Sequence, residues 1–191
     1  MQRPQLPFPG VFSALNARLQ GTLIDKDLRE LSPILPEGIV ESQEGFVESE
    51  SVTGTNLFIK GKYDLLVKQP DDTYLIVDFK ISEPHEDKIA KYQSQLLAYQ
   101  YAFEHPARGE RKEITKLGLI IMYPDAVKFE NQQAVINFPP RWLEIALNKD
   151  TFLQFMKEVH TLIEGPVPPE NSNCRWCKYR HYGEQYAHIF E

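Results

Sequence analysis

Two acidic residues and a lysine interrupt stretches that otherwise want a core. In "YLIVDFKI" (74–81), Leu75, Ile76, Val77, Phe79 and Ile81 are apolar, while Asp78 and Lys80 break the pattern two residues apart. Strand side chains alternate between faces, so Asp78 and Lys80 point the same way. An earlier run, "NLFIKGKYDLLVKQ" (56–69), also reads as a strand, with Leu57, Ile59, Gly61, Tyr63, Leu65 and Val67 on one parity. Between the two lies "PDDT", a turn composition. The pair therefore reads as an antiparallel hairpin, and a symmetric turn places residue 64 close to residue 79. Asp64 and Asp78 then converge, with Lys80 beside them. Two carboxylates at one point repel unless a proton or a cation lies between them. Oxygen donors without His or Cys nearby suit Mg2+ or Mn2+ rather than zinc. The alternative is a solvated Asp–Lys ion pair where the hairpin frays.

Two other spacings carry chemistry. Gln95 and Tyr99 are four residues apart and share one face of a helix. Tyr99 also falls on the apolar stripe, so core packing is its alternative role. Cys174 and Cys177 form a C-x-x-C in "NCRWCKYR", a spacing used for metal or redox chemistry. No βαβ pattern of the thioredoxin kind surrounds it. A closed zinc site needs four ligands and a four-iron cluster four cysteines, whereas the chain has two cysteines. His181 and His188 are the residues that would complete a zinc set. The favoured reading is a pair of buried, reduced thiols beside Trp176, without an iron–sulfur cluster. His85, His105 and His160 stand alone. Lys60, Lys62, Lys68, Lys88 and Lys91 cluster around the motif strands and the following helix, either as a basic rim for phosphate or as ordinary surface.

The elements that must position these residues follow from periodicity. Phe12, Leu15, Leu19, Leu23, Leu28 and Leu31 predict a helix from about Ser13 to Pro33. A polar strand is expected over 44–53, then the hairpin 56–69 and 74–81. Ile89, Tyr92, Leu96, Tyr99 and Phe103 predict an amphipathic helix over 88–105. "TKLGLIIMYP" (115–124) reads as a central strand, and 126–139 as a hairpin turning near Asn131. Residues 141–165 read as one helix or two, with Trp142, Ile145, Phe152, Phe155, Val159 and Leu162 inward. The expectation is one α/β (α+β) domain over 1–191: a mixed central sheet flanked by helices, ordered α-β-β-β-α-β over about 12–123. An added hairpin, helix and cysteine tail follow at 124–191.

Composition limits the function classes. The chain has 191 residues, 42% of them hydrophobic and 25% charged, and a formal net charge of −6. That length supports a proper core. The negative balance opposes non-specific coating of nucleic acid but leaves room for a local basic groove. No apolar run approaches a membrane span, and the N-terminus lacks a signal-peptide core, so a cytoplasmic protein without membrane association is expected. Walker-A, zinc-protease and nucleophile-elbow motifs are missing.

The order of these motifs resembles the PD-(D/E)XK nuclease superfamily, most closely its RecB-like branch, which includes the adaptation nucleases of CRISPR systems. That pattern runs G-x-x-D, (D/E)-x-K, Q-x-x-x-Y, met here by Gly61 and Asp64, Asp78 and Lys80, Gln95 and Tyr99. The resemblance covers about 12–123 and implies a restriction-endonuclease-like core with Mg2+- or Mn2+-dependent deoxyribonuclease activity on ends or single strands. Asp64, Asp78 and the carbonyl of Phe79 would hold the metal. Lys80 would orient the attacking water or stabilise developing charge, and Gln95 and Tyr99 would contact phosphates or brace Lys80. The branch also wants an acidic residue or His on its first helix, and "GTLID" offers Asp25 there, with Glu48 and Glu50 as rival donors. Related nucleases carry an iron–sulfur cluster on four cysteines, and this chain departs from that pattern. The alternative function is a catalytically silent module that binds nucleic acid or a protein partner within a DNA-processing complex.

Overall fold

The computed structural model describes residues 10–83 and 88–184. His85 and His188 lie outside the described residues, as do the side chains of Lys88 and Lys91. The chain runs α1 (Gly10–Gly21), a 3₁₀ turn (Leu28–Glu30), β1 (Ile39–Gln43), β2 (Phe46–Ser51), β3 (Phe58–Lys62), β4 (Leu65–Lys68), β5 (Tyr74–Ile81) and α2 (Lys88–Glu104). It continues through β6 (Ile114–Met122), β7 (Ala126–Glu130), β8 (Gln133–Asn137), β9 (Pro140–Ile145), α3 (Lys149–Glu164) and α4 (Arg175–Glu184). The expected architecture, a mixed central sheet flanked by helices, is present. Five strands form that sheet in the order β1-β4-β5-β6-β9, and only β5 and β6 run parallel. α2 makes the crossover between them, as a parallel pair requires.

β5 and β6 are the middle of the molecule, and their composition explains it. Strands covered on both faces read as continuous apolar runs, and in β5 every residue from Leu75 to Phe79 is buried. One face of the sheet, with Leu66, Ile76, Leu117 and Leu119, packs against Leu96, Leu97, Phe103, Phe152 and Met156 of α2 and α3. The other face, with Leu65, Val67, Leu75, Val77 and Phe79, packs against Leu23, Leu28 and Leu35. Asp78 and Lys80 share the parity of Ile76, so they belong to the α2 face.

Three expectations about the elements are corrected, and one strand is added. The first helix stops at Gly21, not Pro33. Gly21 and Thr22, whose hydroxyl donates to the Leu19 carbonyl, close it, and Leu23, Leu28 and Leu35 enter the core from turns. Helical spacing beyond Gly21 thus reports burial, not helix. The run 56–69 is two strands. Backbone bends at Tyr63–Asp64, β3 pairs with β2 in a separate two-stranded sheet, and β4 joins the central sheet. β1 was not anticipated; it pairs with β4 through a bulged register. Residues 140–145 are a strand, β9, because β6 offers a free edge: Ile120 pairs with Trp142 and Leu117 with Ile145. Gly118 makes room there, since a Cβ on it would lie 2.0 Å from Trp142 Cη2.

The 126–139 hairpin forms as expected, turning through Asn131 and Gln132, both in the left-handed region. The C-x-x-C is not buried. Both thiols are half-exposed, Cys174 just before α4 and Cys177 on it; none of the residues of α4 is buried, and Trp176 is 53% exposed. No helix among the described residues is long and apolar enough to cross a membrane.

Candidate active site

The β4–β5 register pairs Leu65 with Val77, so Asp64, one residue before β4, falls beside Asp78. The Phe79 amide donates to Asp64 Oδ2 at 2.8 Å. Asp64 is half-buried at the bend between β3 of the small sheet and β4 of the central sheet. Asp78 is 2% exposed. Gln95 Nε2 donates to Asp78 Oδ1 at 3.3 Å. Lys80 Nζ lies 2.6 Å from Asp78 Oδ2, an ion pair on that buried oxygen. The sequence thus anticipated the convergence of Asp64, Asp78 and Lys80, and the structure brings them together with Gln95 and Tyr99.

Gln95 and Tyr99 work as a brace. Gln95 Nε2 also reaches Tyr99 Oη at 3.2 Å, and Tyr99 donates to the Lys62 carbonyl at 2.8 Å. The chain Lys62–Tyr99–Gln95–Asp78 therefore ties β3 to β5 through α2. It depends on Gly61: a Cβ there would stand 2.5 Å from Tyr99 Cε1. Core packing and polar bracing are both true of Tyr99, which packs against the core cluster beneath α2.

The electrostatics follow from burial. Desolvation pushes the Asp78 carboxyl up to about 6; Lys80 opposes the shift and Asp64 adds to it. Burial works against the Lys80 ammonium, but Asp78 outweighs it and holds its pKa above the usual lysine value. Lys80 is therefore a cation at neutral pH. Its Nζ stands 4.8 Å from the ring centroid of Tyr92, within cation–π range. Burial likewise raises the Tyr99 phenol, which stays protonated and able to donate.

A cleft of about 390 Å³ opens over this end of β5, lined by Asp64, Phe79, Lys80 and Ser82, by Asn16 of α1 and by Tyr92 of α2. Sequence reasoning missed Asn16 altogether and took Tyr92 for an ordinary stripe residue. Asp25 is not on the first helix. It follows α1 in an exposed turn at φ 61°, its amide bonded to the Val40 carbonyl. Among the described residues, no group of three or more His, Cys, Asp or Glu converges as a metal site, so Asp25 is not brought to Asp64 and Asp78. Glu48 and Glu50 sit on the exposed parity of β2, Glu48 paired with Lys60 at 2.8 Å. Lys62 pairs with Glu44. Lys68 pairs with Asp72 at the turn end of the hairpin, opposite the site, because β4 leads away from Asp64. His181 is engaged by Glu170 and Glu184.

The donors suit a hard cation. Two carboxylates side by side, one of them buried, and an all-oxygen donor set fit Mg2+ or Mn2+, which keep several water positions.

A buried D-x-K on a central strand, a partner aspartate one strand away and a bracing helix define a nuclease-like site. The chain belongs to the PD-(D/E)XK nuclease superfamily, whose family model matches residues 10–182. No curated protein matches the chain. Among solved structures, the crystal structure of SSO0001 is similar over 91% of this chain and 69% of that one, with 16% identity and a TM-score of 0.50. At that identity the likeness concerns the fold alone.

Proposed function

We propose that this chain is a metal-dependent nuclease that hydrolyses phosphodiester bonds in DNA, at ends or in single strands. The carrying observation is Asp78: a carboxylate buried mid-sheet, held by Gln95 on one oxygen and by the Lys80 ammonium on the other, with the Asp64 carboxylate beside it. Two adjoining carboxylates share a single ammonium there, and their mutual repulsion is what a divalent cation relieves. Asp64 and Asp78, with the Phe79 carbonyl, would hold Mg2+ or Mn2+. The ion would supply Lewis-acid polarisation of the phosphate and a more acidic water. Lys80, charged and steadied by Tyr92, stabilises negative charge developing on the phosphate oxygens. Gln95 and Tyr99 are positioning residues that hold the Asp78 carboxylate in one orientation.

The alternative, a silent nucleic-acid-binding module, draws on the Phe79 amide already engaging Asp64. The deciding experiment incubates linear duplex and single-stranded DNA with the protein and Mg2+ or Mn2+, beside Asp78→Asn. Metal-dependent cleavage by wild type, abolished in a folded Asp78→Asn, supports the enzyme. Equal cleavage by both places the chemistry elsewhere, and binding without cleavage favours the silent module.

A further inference from the structure

The β2–β3 ribbon presents a face that the site does not use. Its inward parity, Val47, Ser49, Ile59 and Gly61, is buried or half-buried. Its outward parity carries Phe46, 79% exposed, and Phe58, 58% exposed. Lys62 stands directly across from Phe46 and Lys60 across from Glu48. The loop after α2 docks on the edge of the ribbon, the Ala107 amide bonding to the Glu48 carbonyl. This brings in Arg108, close enough to depress the Glu48 pKa after Lys60, the main cause. Phe46, Glu48, Lys60, Ala107 and Arg108 line a concavity of about 480 Å³.

Exposing two phenyl rings on one small face costs solvation unless something covers them. The coverer is identified by what surrounds them. In a chain of net charge −6, this concavity has two cations against one carboxylate, with the Lys62–Glu44 pair on its rim. Exposed ion pairs of this kind contribute only about 0–1 kcal/mol, so a phosphate can take over Lys60 or Lys62 with little loss. Aromatic faces interleaved with exchangeable cations are the composition of a single-strand binding surface, where bases stack and the backbone follows the charges. The location agrees. Lys62, across from Phe46, is two residues from Asp64, and the Glu44 and Tyr63 amides pair with the Asp64 and Gly45 carbonyls where the ribbon meets the site.

We propose that the outer face of the β2–β3 ribbon is a base-stacking subsite for a single strand of nucleic acid, with Phe46 as the platform and Lys60, Lys62 and Arg108 as phosphate contacts. The proposal rests on the nuclease reading and names its substrate form. A strand seated on Phe46 continues past Lys62 to the Asp64–Asp78 cleft. Within duplex DNA the bases are already stacked on each other and offer the ring a face only at an end.

The test measures binding of a fluorescein-labelled oligothymidylate, by anisotropy in Ca2+, to Asp78→Asn protein with and without Phe46→Ala, and the KM and kcat of Phe46→Ala in the otherwise native chain. Phe46→Ala weakens oligothymidylate binding about tenfold, in line with the loss of one stacked base, and raises KM with kcat nearly unchanged. Phe46→Trp restores binding. Phe129→Ala, which removes an exposed ring from β7, leaves binding unchanged. The proposal is overturned if Phe46→Ala binds as its parent does, if Phe129→Ala loses as much, or if the parent binds no oligothymidylate. In each of these cases, metal-dependent cleavage of duplex by the native chain keeps the nuclease reading standing. No cleavage of any DNA removes that reading instead, and the anisotropy result still decides the subsite.

Discussion

At the scale of single residues, the determining quantity is the proton on Asp78. Its carboxyl is raised to about 6 from an unfolded value near 3.8, chiefly by burial. The folded chain thus holds that proton more tightly than the unfolded chain, and without metal this group costs stability as pH rises from about 4 to about 6. A divalent cation must displace the same proton. Mn2+ affinity, measured by calorimetry, should therefore rise with pH through about 6 and level off about one unit above it. In Asp78→Asn the pH dependence should vanish with the affinity; a wild-type affinity that is flat across this window would place the metal elsewhere. Lys80→Gln separates charge stabilisation from metal holding. It should bind Mn2+ at least as well as wild type, because a cation beside the carboxylates is gone, yet cleave about 10²–10³-fold more slowly. A Lys80→Gln enzyme of full rate would make the lysine a counter-ion only.

At the scale of elements, α2 decides how well the site is held. Gly61→Ala forces a methyl group into the Tyr99 ring. The ring must move, and the Lys62–Tyr99–Gln95–Asp78 chain opens with it. Overpacking of this kind costs about 1–3 kcal/mol, so urea denaturation should show that loss together with reduced activity. Tyr99→Phe keeps the ring and removes only the hydroxyl's bonds. It should cost about 1 kcal/mol and slow cleavage less than Gly61→Ala does. If Gly61→Ala is as stable and active as wild type, the close approach is not what the glycine is for. Much of this was readable beforehand. The D-x-K parity, the i, i+4 spacing of Gln95 and Tyr99, and the hairpin through "PDDT" all follow from local geometry. The hold on Lys62 was not readable, because it joins α2 to a strand 37 residues earlier.

At the scale of the whole molecule, stability is graded outward from β5 and β6. β5 is paired on both edges, with both faces covered. β7 and β8 form a two-stranded sheet whose ten residues are all exposed, and α4 buries none. Local opening is least costly where burial is least, and isolated hairpins are marginal in water. Amide hydrogen exchange should be slowest in β5 and β6 and fastest in β7, β8 and α4. Protection of α4 equal to that of β5 would mean that the tail has a partner. For the same reason, Cys174→Ser with Cys177→Ser should leave the melting temperature unchanged.

What sequence alone determined was whatever short-range periodicity controls. An apolar run bounded by a turn reads as a central strand, and five apolar positions of period 3.6 after it read as a covering helix, so β5, α2 and β6 and the acidic pair were legible. What only tertiary structure decided was where periodicity is ambiguous. Leu23, Leu28 and Leu31 continue a helical spacing past Gly21, yet the chain turns there, because the core accepts an apolar side chain from a turn as readily as from a helix; Asp25 left the site with that turn. Trp142 and Ile145, three residues apart, fit a helix, and became a strand because the open edge of β6 and the space over Gly118 lay waiting for them. The bend at Asp64 belongs to the same class. Alternation runs unbroken through Tyr63, but the backbone passes from one sheet to another, and that passage, fixed by the strands on either side, sets the carboxylate beside Asp78.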